Sequence, residues 1–255
     1  MKSIVAFVFF FLLSVHFLLA QDQNIHVFVA LCDNANQGIV PVPERLGNGQ
    51  DAKSNLYWCA AYGVKNFFKN KTQDWQLVKT WQPSNPEILE RVLFKHHSKE
   101  AYLLADAYDG AFIKSCTQDF LCASNGQQSL TIELESKELS FGGDADLIAY
   151  TGHDGLMEFE VDVEYKPISS KAKDVIILAC YSKEFFQTHI ESAQANPLVW
   201  TTHLMAPEAY TLKAALDGWL DNETNLQIEE GAAQAYHQYQ KCGIRGARNL
   251  FTTGF

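Results

Sequence analysis

A histidine and a cysteine stand out because each follows a short apolar run that stops abruptly. "DLIAYTGHDGLMEF" (Asp146 to Phe159) places His153 in a Gly152-His153-Asp154-Gly155 turn, and "DVIILACYSKEFF" (Asp174 to Phe186) ends in Cys180. A thiol attacks only as thiolate, and at an ordinary pKa of about 8.5 a small fraction is ionised at neutral pH. A neighbouring imidazole can take that proton or hold an ion pair, and the glycine-rich turn lets backbone N–H groups approach a developing oxyanion.

The order of these two motifs, "IAYTGHDG" and then "VIILACYS", resembles the caspase-like cysteine peptidases, the group that includes caspases, legumains, gingipains and separases. The resemblance implies a caspase-like α/β fold with His153 as general acid/base and Cys180 as nucleophile. It also implies that the Gly155 and Cys180 amides donate to the oxyanion. The family has glycine directly after the histidine; here Asp154 intervenes, and aspartate tolerates left-handed backbone, so the turn is expected to persist.

Other reactive residues fall at predicted strand ends: Asp33, Asp106, Asp109, Thr202 and His203. They are expected to line the substrate cleft, and the acids would favour a basic side chain in the substrate. Asp109 also reads as an N-cap ahead of Gly110-Ala111. Asp33, Asp106, His153 and His203 together form a weaker option, a metal-assisted hydrolase. The reading preferred here needs no metal and no cofactor.

The elements that must position these residues alternate between strand and helix. Strands are predicted at Ile25 to Leu31, Trp75 to Trp81, Ala101 to Ala105, Leu147 to Thr151, Val175 to Cys180 and Leu198 to Thr202. Met157 to Tyr165, strictly alternating, reads as an exposed strand, and Leu130 to Phe141 as a hairpin or one long strand. Helices are predicted over Ser54 to Phe68, Ile88 to Phe94 behind a Ser84-Asn85-Pro86-Glu87 start, Ala111 to Cys122, Lys183 to Ala195, Pro207 to Leu220 and Ile228 to Cys242. The expected fold is a three-layer α/β sandwich on a mainly parallel sheet, one domain over residues 21–255.

Residues 1–20 carry Lys2, an apolar Ile4 to Leu19 run and Ala20, the pattern of a signal peptide; the protein is expected to be secreted or periplasmic, with no membrane segment after cleavage. The formal net charge is −10, and one unit more negative once Lys2 leaves, so nucleic acid is a poor partner and a peptide or protein substrate the expected one. Six cysteines in an exported chain permit disulfides, but too few for a cystine-stapled scaffold. Cys116 and Cys122 are read as a local disulfide or two buried thiols. The alternative to an enzyme is a secreted binding module or pseudoenzyme on the same fold.

Overall fold

The computed structural model describes residues 22–167 and 171–255; the expected leader, residues 1–20, lies outside them. In chain order the elements are β1 (Gln23–Ala30), α1 (Val64–Asn70), β2 (Trp75–Trp81), β3 (Ile88–His96), β4 (Ala101–Tyr108), α2 (Ile113–Ser124), β5 (Leu130–Leu134) and β6 (Lys137–Phe141). There follow β7 (Leu147–Thr151), β8 (Asp174–Leu178), α3 (Ser182–Ala193), β9 (Asn196–Thr201), α4 (Ala209–Leu220), α5 (Asn225–Gln240), α6 (Ile244–Leu250) and β10 (Phe251–Thr252). No helix among the described residues is long and apolar enough to cross a membrane.

Eight strands form one sheet in the order β10-β9-β8-β7-β1-β4-β3-β2. The five central strands, β9-β8-β7-β1-β4, run parallel, while β3, β2 and β10 pair antiparallel at the two edges. The fold is therefore α/β on a mostly parallel sheet. Strand side chains alternate between two cores. Val27 and Val29 face α1, α4 and α5 through Phe68, Leu212 and Ala232, whereas Phe28 and Ala30 face α2 and α3 through Phe120 and Phe186. Burial on both faces explains why the central strands read as unbroken apolar runs. Beyond α2, the β5/β6 hairpin covers Leu104 with Leu139 and Phe141.

Several expected elements differ. Ile88 to Phe94 is the strand β3, not a helix: the Asn85 side chain accepts from the Glu87 amide and closes a turn, and a short apolar run between two partner strands gains more from ladder pairing. Ser54 to Phe68 is mostly turns, with only α1 helical. Met157 to Tyr165 pairs with no strand among the described residues. It begins as a 3-10 turn and continues extended, with Phe159, Val161, Val163 and Tyr165 packed on the α2/α3 core. The alternation is real, but its apolar side is met by helices. Side-chain amides of α2 and its C-terminus serve the backbone here: Gln127 donates to the Glu164 carbonyl at 2.9 Å, and Asn125 both donates to the Lys166 carbonyl at 3.0 Å and accepts from its amide at 2.7 Å.

Candidate active site

The parallel register brings the two motifs level. Thr151 pairs with Leu178, so His153 and Cys180 each lie two residues beyond the same rung of adjacent strands. Neighbouring strands run about 4.8 Å apart. Gly152 extends the ladder by one bond, donating to the Leu178 carbonyl at 3.2 Å. A side chain at Gly152 would collide with the Ala30 carbonyl, whose oxygen lies 2.8 Å from the position of a Cβ, so only glycine lets β7 pass this close to β1.

His153 and Cys180 line one hollow of about 290 Å³ at the carboxyl ends of the strands. Strand order reverses between β1 and β7, since β4 lies on the other side of β1, and such a switch point is where open parallel sheets bind ligands. Gly152 and Tyr57 form further wall, and the remainder comes from residues 38–40, Met157 and the loop after β9.

Cys180 occupies a tight strand-to-helix turn. Tyr181 follows it in left-handed conformation, φ +49°, and donates its amide to the His203 carbonyl at 3.0 Å; α3 then starts at Ser182. A tyrosine held there costs on the order of 1–3 kcal/mol. The Cys180 sulfur is half-buried, 3.4 Å from the Met205 amide that donates to it. Burial pushes its thiol pKa up, the Met205 contact works against that, and the nearby Asp154 carboxyl adds to the rise. Burial of the sulfur thus favours the thiol over the thiolate. Cys32, fully buried behind Tyr57, is pushed up to about 11 by burial despite a hydrogen bond from that tyrosine.

His153 is 8% exposed, and its Nε2 lies 2.5 Å from Glu158 Oε1. The same carboxylate oxygen accepts from the Gly38 amide at 2.6 Å. A carboxylate on Nε2 favours the tautomer with its proton there, which leaves Nδ1 as the acceptor. Glu158 was not foreseen; its only signal was an acid five residues after the histidine.

Asp154 is extended, φ −81°, not left-handed, so no special backbone tolerance is needed. Its Oδ1 accepts from the Leu156 amide at 3.0 Å, while Oδ2 is buried without a hydrogen-bond partner among the described residues. Burial pushes this carboxyl up to about 7, with Glu158 adding repulsion against the Leu156 bond. Gly155, expected as an oxyanion donor, does not line the hollow. It is buried, and a side chain there would meet Phe159 and Ile113.

The acids expected to shape a cleft for a basic substrate do not reach the hollow. Asp33 is 1% exposed and accepts from Ala35, Asn36 and Gln50; burial works against these bonds, which nonetheless hold its pKa below the usual range. It organises the loop after β1. Asp106 lies inside β4, on the opposite face of the sheet, where Arg91 Nη2 at 2.6 Å and His26 Nε2 at 3.1 Å hold it. There burial opposes ionisation and the Arg91 and His26 bonds outweigh it, leaving the pKa low. The strand continues to Tyr108 because β3 and β1 both pair with it. Asp109 caps the following turn, accepting from the Ala111 amide at 2.9 Å, and also from Gln50.

His203 borders a separate depression with Cys242 and Tyr236, and Thr202 is bonded to its Nδ1 and to the Asn249 carbonyl. Asp33, Asp106, His153 and His203 do not converge, and no group of three or more His, Cys, Asp or Glu among the described residues is arranged around a metal position. All six cysteines are unpaired. Cys116 and Cys122 lie six positions apart on α2, which points them to different sides of the helix. No family model, no curated protein and no solved structure matches the chain.

Proposed function

We propose that the hollow is the active site of an exported cysteine hydrolase of caspase-like architecture, acting on a peptide or related acyl bond. The observation that carries this reading is the shared register of His153 and Cys180, which opens both residues into one cavity. The strained Tyr181 turn beside Cys180 supports it, since such strain gathers at functional sites.

The chemistry starts from the thiol, the form that burial of the sulfur favours. His153 Nδ1 takes the Cys180 proton as sulfur attacks the carbonyl carbon, so base and nucleophile act in one step. Glu158 steadies the imidazolium that forms. The oxyanion rests on the Cys180 amide; Gly155 is not among the residues that line the hollow. Collapse expels the amine, which receives the proton from His153 and leaves a thioester on Cys180. Water, deprotonated by His153, then attacks the thioester and releases the acid and the thiol. Such a positioned base contributes about 10²–10⁴-fold.

The test is labelling of Cys180 by iodoacetamide at pH 7, followed by peptide mapping because Cys242 is exposed and also reacts. We expect Cys180 in His153→Ala to label at least about tenfold more slowly than in the wild type. Equal rates would remove the case for a dyad. One observation favours a second reading, a non-catalytic binding module: the Cys180 sulfur is half-buried, which disfavours its thiolate. Mass spectrometry after incubation with an activated acyl ester separates the two. An acyl adduct on Cys180 supports the enzyme, and a chain that stays unmodified while binding the ester supports the module.

A further inference from the structure

We infer that the hollow selects an apolar, aliphatic side chain, borne by the residue whose carbonyl Cys180 attacks in a peptide substrate; this rests on the hydrolase reading above. Three large apolar residues from three separate loops are exposed around this one opening. Val40 is 87% exposed, Leu204 67% and Met157 41%, and all three line the cavity, with Ile39, Met205 and Pro207 completing its apolar side. Single exposed apolar residues are ordinary on protein surfaces, but a convergent set marks a binding site.

Charge points the same way. No Asp, Glu, Lys or Arg lines the cavity. Glu158, at its margin, already holds His153 and the Gly38 amide. A charged side chain entering here loses water and gains no counter-charge, which costs several kcal/mol unless it neutralises. An aliphatic one gains about 25 cal/mol for each Å² it buries. The volume of about 290 Å³ lies at the small end of ligand cavities, the scale of one side chain with its flanking backbone.

The experiment measures turnover by the wild-type protein of N-acetyl tripeptide coumarylamides ending in Leu, Met, Lys, Arg, Asp or Glu. In parallel, calorimetry measures binding of the matching uncleavable peptide amides to Cys180→Ser. Leu and Met are expected to exceed every charged residue by at least about tenfold in kcat/KM and in affinity. Val40→Glu, at a site exposed enough to leave folding undisturbed, should raise the relative preference for Lys by about tenfold. Turnover that favours a charged residue overturns the inference and leaves the hydrolase intact. Absent turnover with selective binding of the Leu amide to Cys180→Ser does the reverse: the hydrolase falls and the apolar site stands. Equal binding across the panel, or an octanoyl thioester preferred to every peptide, overturns the apolar peptide site.

Discussion

Asp154 gives the site a pH dependence that can be read in stability. In the unfolded chain its carboxyl titrates near 4, and folding moves it up to about 7 because the group is buried with one oxygen unpartnered. Between those values the folded state keeps a proton that the unfolded chain has released. The contribution to stability is therefore whole below about pH 4 and is lost as pH rises through 7, by up to about 4 kcal/mol. Asp154→Asn keeps the acceptor for the Leu156 amide and removes the titration. We expect urea midpoints to fall less between pH 5 and 8 in the variant than in the wild type; parallel profiles would show that Asp154 is already ionised in the fold. The same substitution removes a negative charge near Cys180 and should bring its alkylation to lower pH.

Among the elements, the segment after His153 shows how a pattern can be right while its partner is wrong. Its alternation was plain in the sequence; that α2 and α3, not a strand, receive its apolar side was not, because periodicity records which residues are buried and not against what. Asn125 holds that segment from the end of α2, bonded to Lys166 through both amide atoms and also to the Ala193 carbonyl at 3.2 Å. Asn125→Ala leaves the buried Ala193 carbonyl without this partner, at about 1–3 kcal/mol, and frees both backbone groups of Lys166, so chymotryptic cleavage after Tyr165 should quicken severalfold while the protein remains folded. An unchanged cleavage rate would mean that apolar packing alone holds the segment. The central strands and the two reactive residues at their ends were legible from apolar runs ending in Gly-His and Ala-Cys. The apolar rim was not: Val40, Met157 and Leu204 belong to loops whose meeting depends on strand order, which no local pattern encodes. Asp106 misled for a related reason, since a polar residue near a strand end does not reveal which face it takes.

At the scale of the molecule, a sheet with five parallel strands must end somewhere, and β10 covers the free side of β9 through Phe251 and Thr252, with Phe255 packed edge-on to Trp200. Shortening the chain to end at Leu250 should expose a row of unpaired backbone groups. We expect concentration-dependent association by light scattering, whereas a monomer at every concentration would show that the edge is protected by other means. The middle of the sheet, at the carboxyl ends of β7 and β8, carries a different kind of closure. One Glu158 oxygen joins Gly38, from the loop that presents Ile39 and Val40, to the imidazole of His153. In the hydrolase proposed above, the rim that would receive the substrate and the imidazole that would move its protons are thus fastened by a single carboxylate. On that proposal, an engineer who redesigns the rim for a new guest must expect the turnover number to drift as well, because any tug on that loop is felt at the ring.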